Sequence, residues 1–299
     1  MRHLAARTMT RRLPRRFMQS LPQSLSARYD YLRHFGTLPN IARPRTFNDY
    51  VFRQKMDPAS LRFAPYADKV LVKDHVRSVL GPEWVIPTLW AGKDIRRFPY
   101  AVEVGPIVVK ANHGQGMNHF VRRPEDYDLV ELESLTRRWL ERSWPRMFNE
   151  NWYNEIDRQI LVEPLLPSES GDLMDYKIFV FAGEPVMVQI DLDRFHGHKR
   201  AMYSPDWQKL HFCMNKLRAP GEFARPRHLD AMLDAAAKLG ADFDFARVDF
   251  YDMPEHPLFG EITFSPARGI MAFDPPEANA ELGSLLAEKL ARRRGARTA

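Results

Sequence analysis

Cysteine is almost absent: Cys213 is the only one among 299 residues. It has no partner for an internal disulfide, which points to a reducing, cytoplasmic compartment, and a cysteine-rich zinc site is excluded. Long apolar runs are missing too. Stretches such as 178–183 fall far short of the roughly 18 residues that a spanning helix needs. There is no internal repeat and no low-complexity tract. Acidic residues are missing from both ends. Residues 1–29 hold seven Arg, and 289–299 hold four Arg and one Lys, with no Asp or Glu in either stretch. Taking those twelve charges from the 44 basic residues leaves 32 against 38 acidic ones, so the body is mildly acidic although the whole chain is +6. A specific nucleic-acid groove would carry positive charge in the body, so none is expected. The ends read as solvated basic tails able to touch an anionic membrane surface or polymer, and the first lacks the apolar stretch of a secretory signal.

What is present is a globular composition, 44% hydrophobic and 27% charged. Thr46 is a plausible N-cap for a helix through Met56, and a second helix is expected from Asp68 to the Gly81-Pro82 break. From Pro106 the pattern turns strand-like: Ile107–Ala111, a glycine-bearing turn, then a return strand over His119–Arg122. A helix over Leu129–Ser143 precedes a strand over Gln159–Glu163 that Pro164 ends. Strands are expected at Tyr176–Ala182, Val186–Asp191, Ala246–Tyr251 and Leu258–Phe264, with helices over Arg227–Leu239 and from Glu277 onward. Hairpins mixed with helices, without strict βαβ alternation, give an α+β fold.

Four polar features stand out. In Arg247-Val-Asp249-Phe-Tyr251 and Gly260-Glu261-Ile-Thr263-Phe264, side chains alternate between faces, so pairing the two strands brings Arg247, Asp249, Glu261 and Thr263 together. Two carboxylates and a hydroxyl suit Mg²⁺; they equally suit the solvent face of an amphipathic sheet. Lys110 precedes Asn112-His113-Gly114-Gln115-Gly116, where glycines let backbone N–H groups approach phosphate oxygens. The same glycines also serve a plain hairpin turn. Glu163, followed by Pro164-Leu165-Leu166, either holds an adenine amino group or ribose hydroxyls beside an apolar slot, or is an ordinary strand-end acid. Lys177 shares a strand face with Phe179 and Phe181 and needs an anionic partner, a phosphate or a carboxylate such as Asp175. The His196-Gly-His198-Lys199-Arg200 loop favours anion binding by Arg200 over a metal, and Arg268 lies just past Glu261.

In chain order, Ala67-Asp68-Lys69, Val109–Gly114, Asp175–Phe179, His198-Lys199-Arg200, Arg247–Tyr251 and Gly260–Pro266 resemble the motifs of the ATP-grasp superfamily, and more specifically of the TupA-like (teichuronopeptide biosynthesis) family. The likeness spans roughly residues 40–275. It implies two α+β lobes clamping a nucleotide behind an N-terminal helical extension. The corresponding division is a basic tail (1–29), a helical region (30–105), a smaller lobe with the glycine loop (106–167), a larger lobe with the metal site (168–288) and a second basic tail (289–299).

The resemblance implies ATP and Mg²⁺ as cofactors. Lys69 and Lys110 look like phosphate-binding lysines, His113–Gly116 like the phosphate loop, Glu163 and Leu165 like the adenosine contacts and Lys177 like a further nucleotide-facing lysine. Asp249, Glu261 and Thr263 look like the metal ligands, with Thr263 where many ATP-grasp ligases have Asn, and Arg247 like the cation beside the transferred phosphoryl group. Arg200 and Arg268 are candidates for gripping an acceptor carboxylate. The implied activity is ATP-dependent amide formation between a carboxylate acceptor, such as an acidic sugar polymer or a small molecule, and an amine donor. The alternatives are a sugar kinase on the same framework, a non-catalytic polyanion-binding protein and a glycosyltransferase using Asp191-Leu-Asp193 or Asp242-Phe-Asp244. Oligomeric state is not legible.

Overall fold

The computed structural model describes residues 21–100, 105–145, 148–167, 173–192, 199–215 and 217–298. Residues 1–20 of the first basic tail and the His196-Gly-His198 pair lie outside the described residues. The chain opens with α1 (Gln23–Phe35), α2 (Phe47–Met56), the single turn α3 (Ala64–Ala67) and α4 (Val72–Leu80). α2 starts where the sequence predicts. The Thr46 hydroxyl accepts the Asp49 N–H and the Asp49 carboxylate accepts the Thr46 N–H, a reciprocal cap. α4 begins later than the Asp68 expected. The Asp68 carboxylate accepts the N–H groups of Val70 and Leu71 and shapes a turn ahead of the helix.

A smaller antiparallel sheet follows, built from β1 (Trp90–Gly92), β2 (Ile107–Ala111), β3 (Asn118–Val121) and, after α5 (Leu129–Glu141), β4 (Ile160–Pro164). The strand order is β1-β4-β2-β3. One face, with Ile107, Val109, Ile160 and Val162, packs on Leu132 and Trp139 of α5. The pleat therefore turns Val108, Lys110, Leu161 and Glu163 the other way. This sheet starts at Trp90, ahead of the 106 expected from the sequence, because Trp-Ala-Gly is too short to show an alternation.

Downstream come β5 (Asp175–Phe181), β6 (Glu184–Leu192), β7 (Lys199–Tyr203), β8 (Cys213–Met214), α6 (Leu229–Gly240), β9 (Phe245–Tyr251), β10 (Leu258–Thr263), β11 (Phe273–Asp274) and α7 (Ala278–Thr298). Five of these strands form an antiparallel sheet in the order β10-β9-β5-β6-β7. One face, with Ile178, Val180, Val188, Ile190, Val248 and Phe250, is covered by Met232, Ala236 and Leu239 of α6.

The opposite face is divided along its strands, and this division creates the site. At one end Phe179, Phe181, Met187 and Phe245 pack under Phe47 of α2 and Leu282 and Leu286 of α7. Further along, the same alternation presents Asp175, Lys177, Gln189, Asp191, Arg247 and Asp249. A buried sheet face tolerates so many polar groups only where each meets a partner or a ligand. The two covering helices cross closely: a Cβ at Gly283 of α7 would lie 2.4 Å from the Arg45 carbonyl oxygen. Residues 289–298 are not a detached tail but the last turns of α7, where Arg293 pairs with Asp244 and donates to the Phe243 carbonyl.

α2 also carries the buried Lys55, whose Nζ donates to the carbonyls of Phe148 (3.1 Å) and Arg268 (2.7 Å) and lies over the Phe52 ring. Burial pushes this amine down from 10.5 to about 8, opposed by the Glu150 and Asp30 carboxylates. A lysine whose folded value lies below its unfolded one carries a penalty that is complete below the folded value and fades as pH rises towards the unfolded one. The unfolding free energy of the wild type, measured against Lys55→Met, is therefore expected to rise by roughly 2–3 kcal/mol between pH 7.5 and 10. A pH-independent difference would contradict this account of Lys55.

Candidate active site

The polar faces of the two sheets enclose a cleft of about 350 Å³. On the small-lobe side, Lys69 follows the Asp68 turn, and its backbone N–H donates to the Asn112 carbonyl (3.0 Å) while its Nζ donates to the Gly114 carbonyl (2.7 Å). Asn112 ties the hairpin to its surroundings. Its Nδ2 donates to Asp68 (3.0 Å) and to the Asp157 carbonyl (2.9 Å), and its Oδ1 accepts the Gln159 N–H (2.8 Å). Gly114 has a left-handed φ of 69°, and a Cβ there would come within 2.7 Å of the Trp144 ring. Glycine at this position is a packing requirement as well as a turn preference.

Glu163 lines the cleft as the shared partner of two lysines. One carboxylate oxygen accepts from Lys110 (2.6 Å), and the other lies 2.5 Å from Lys73 Nζ. Burial alone would raise this carboxyl, but the two ammonium groups outweigh it and hold it below the usual range. Lys73 was not singled out by the sequence. It lies one helical turn beyond Lys69, and a 3.6-residue reading from Lys69 marks it.

On the large-lobe side, Glu261 pairs directly with Asp249 across β10 and β9, and Thr263 with Arg247. Arg247 grips both Asp249 oxygens (2.7 and 2.7 Å), and its Nη2 also reaches Glu261 (3.0 Å) and the Thr263 hydroxyl (3.1 Å). Lys177 bridges Asp175 (2.8 Å) and Asp249 (2.9 Å). Burial would raise the Asp249 carboxyl, yet Arg247 and Lys177 hold it below the ordinary range, so it is an anion at neutral pH. Burial opposes the charge on Arg247 as well, but Asp249 and then Glu261 raise its affinity for the proton. Across the cleft, burial lowers the Lys69 amine, opposed first by Glu261.

The site residues expected from the sequence divide into two groups. Lys69, Lys110, Gly114, Gln115, Gly116, Glu163, Lys177, Arg200, Arg247, Asp249 and Glu261 line one cavity. Thr263, His113, Leu165 and Arg268 do not. Thr263 is buried behind Arg247 and Glu261. His113 is 1% exposed, with its Nε2 against the Arg142 carbonyl, and burial lowers its pKa. Leu165 continues past β4 with its N–H on the Pro106 carbonyl. Arg268 is turned towards Asp30 of α1 (3.2 Å) and over Phe148, because Ala267 and Arg268 take left-handed φ angles of 47° and 61° that redirect the chain after β10.

Asp175, Gln189 and Asp191 also line the cleft. Asp191 accepts from Arg200 Nε (2.7 Å) and from Gln189. Arg200, expected in a loop, stands in β7 directly opposite Asp191. Asp175 is the carboxylate partner the sequence offers for Lys177, and period two, counted across to the neighbouring strand, marks Gln189 and Asp191 as well.

The donor set fits Mg²⁺. Among the described residues no group of three His, Cys, Asp or Glu side chains is arranged to hold a metal. Mg²⁺ characteristically takes one or two carboxylates and completes its shell with phosphates and water. Asp249 and Glu261 supply two such carboxylates around one guanidinium nitrogen.

A family model described as TupA-like ATPgrasp matches residues 51–287. The chain belongs to that family. Its two sheets and the cleft between them are thus an ATP-grasp fold. Among solved structures the chain is similar to the ATP-grasp ligase PsnB complexed with minimal precursor, Mg and ADP, at 13% identity and a TM-score of 0.45, covering 81% of this chain and 66% of that one. It is also similar to D-alanine–D-alanine ligase from Bacillus anthracis complexed with ATP, at 15% identity and a TM-score of 0.43, covering 77% and 68%. The chain spans 60% of the length of PsnB in its complex with a phosphomimetic precursor variant. No curated protein matches it.

Proposed function

We propose that this protein is an ATP-dependent, Mg²⁺-requiring carboxylate–amine ligase that joins an amino acid or other amine to an acidic sugar polymer or a small carboxylate. The observation that carries this reading is the one cleft in which Lys69, Lys110 and the glycine loop face Arg247, Asp249 and Glu261. Bound MgATP supplies the phosphoryl group that turns the acceptor carboxylate into an acylphosphate, the metal neutralising charge that develops on the phosphates.

The chain's own residues then have separable tasks. Lys69 and Lys110 offer point charges to phosphate oxygens, and Glu163 with Lys73 fixes the direction of Lys110. Asp249 and Glu261, with the Thr263 hydroxyl behind them, would hold the metal. Arg247 and then Lys177 keep Asp249 ionised, and Arg247 also steadies the transferred group. Gly114–Gly116 cover the cleft and exclude water, which would otherwise hydrolyse the acylphosphate. Arg200 would hold the acceptor carboxylate; its Nε on Asp191 and its position in the cleft lining support that role. Arg268, tied to Asp30, is not given that role.

The deciding experiment offers the protein ATP, Mg²⁺ and pairs of carboxylates and amines, uronic acids among them. Formation of ADP and free phosphate together, dependent on both partners and matched by an amide mass, is the expected result. ADP formed without free phosphate, with mass added to a sugar hydroxyl, would replace this reading with a kinase. No helix among the described residues is long and apolar enough to cross a membrane.

A further inference from the structure

A second cavity, of about 290 Å³, lies apart from the cleft and shares no lining residue with it. Both open on the same sheet face but at different positions along β9. Phe245 borders the second cavity and Arg247 the first, about 7 Å apart at 3.3 Å per residue. Phe245, which lines the second cavity, packs against the Phe47 and Phe179 rings.

Arginines dominate the second cavity. Arg53 from α2 and Arg62 from the turn after it both line it, and among the described residues neither side chain has an ion pair or a hydrogen bond. Each guanidinium instead lies over an aromatic ring, Arg53 over Tyr50 (5.0 Å) and Arg62 over Phe63 (5.5 Å). Stacking of this kind fixes the planar fork while leaving its donors free for an oxyanion. Arg294 of α7 adds a third guanidinium. The two acids at the rim are engaged elsewhere: Asp57 accepts the Ala59 N–H (2.9 Å) and Asp244 pairs with Arg293. Ser60, 5% exposed, also lines the cavity, and its hydroxyl has no partner among the described residues. The unmatched donors of Arg53, Ser60 and Arg62, from α2 and the turn after it, converge on one cavity and call for an acceptor.

We infer that this cavity is a second, non-catalytic binding site for a sugar-sized ligand bearing an oxyanion, either a carboxylate or a phosphate. Its volume lies near the lower end of small-ligand sites, at about 300 Å³, enough for a hexose ring with one acidic group. Two arginine forks and a hydroxyl match either acid bidentately. Gln54, also in the lining, donates to the carbonyls of Phe245 and Phe264 (both 3.1 Å), which flank the two strands carrying Arg247, Asp249 and Glu261. A ligand seated here therefore braces those strands and raises the unfolding temperature of the whole chain.

The test is isothermal titration of the full chain, its cleft filled with Mg²⁺ and a non-hydrolysable ATP analogue, with glucuronate, glucose 1-phosphate and inorganic phosphate in turn. At least one is expected to saturate at one site, weakened by about tenfold or more in Arg53→Ala/Arg62→Ala, the loss expected for a charge-assisted contact. Binding of the ATP analogue should be unchanged in that variant. Arg62→Ala alone, at an exposed residue, gives a second variant if the double one folds poorly. Saturation by glucuronate alone identifies a carboxylate ligand; saturation by glucose 1-phosphate or phosphate identifies a phosphoryl one. Failure of all three to saturate, or equal affinity in wild type and variants, overturns the inference.

Discussion

Glu261→Gln is expected to lose ATP turnover by about 10²–10³-fold, the range for removing one preorganised charge-stabilising group, while unfolding at the wild-type temperature. Asp249→Asn is expected to lose turnover and stability together. The difference lies in what each carboxylate holds. The Glu261 side chain is 36% exposed at the cleft, and its loss removes one contact from Arg247. Asp249 is buried and compensates two buried cations, Arg247 and Lys177. Neutralising it leaves Lys177 still paired with Asp175 and Arg247 with Glu261, so the loss lies towards the lower end of the roughly 3–5 kcal/mol of a broken buried pair. Turnover and thermal unfolding of the two variants separate the roles. Wild-type turnover in Glu261→Gln would remove it from the metal site, and an unchanged unfolding temperature in Asp249→Asn would remove the buried-charge argument.

Glu163→Ala should be the most destabilising substitution on the small-lobe side, again by about 3–5 kcal/mol, because it leaves two lysines facing each other around a lost carboxylate. The Lys73 and Lys110 side chains are only 7% and 24% exposed, so water screens the repulsion only in part. Removing Lys73 as well, in Lys73→Met/Glu163→Met, should recover part of the loss, since a buried ion pair exchanged for apolar side chains is often neutral. Denaturant titration of the three proteins measures this. Equal stability of Glu163→Ala and wild type would show that the carboxylate does not bind the two lysines together.

The site was legible where a side chain's role follows from strand alternation. Arg247, Asp249, Glu261 and Thr263 share a face because they occupy alternate positions on two paired strands, and the structure pairs them in the register this requires. Lys110 and the glycine turn were legible from the β-branched run Ile107–Ala111 and the Asn112–Gly116 turn that follows it. Residues whose roles depend on tertiary turns were not. His113 and Arg268 are chemically apt and close in sequence to the site, yet backbone direction carries both away from the cleft. The partner of Glu163 could not be read from its own strand, because Lys73 arrives on a helix ninety residues earlier. The cation-rich run around Arg200 reads as a loop, although its ladder partner, Asp191, ends a recognisable strand. The same alternation, carried across from Lys177, would have marked Asp175, Gln189 and Asp191 as a polar stripe on a buried face.

The central claim is that one nucleotide, with its metal, sits between the small-lobe lysines and the large-lobe carboxylates. Equilibrium binding of a non-hydrolysable ATP analogue tests this most directly, measured with Mg²⁺ and with excess chelator, in wild type, Lys110→Ala and Glu261→Gln. The account predicts saturable binding that weakens when Mg²⁺ is removed and weakens in both variants, with chelation costing Glu261→Gln less than wild type. No saturable binding, or binding indifferent to chelation and to both substitutions, would contradict it.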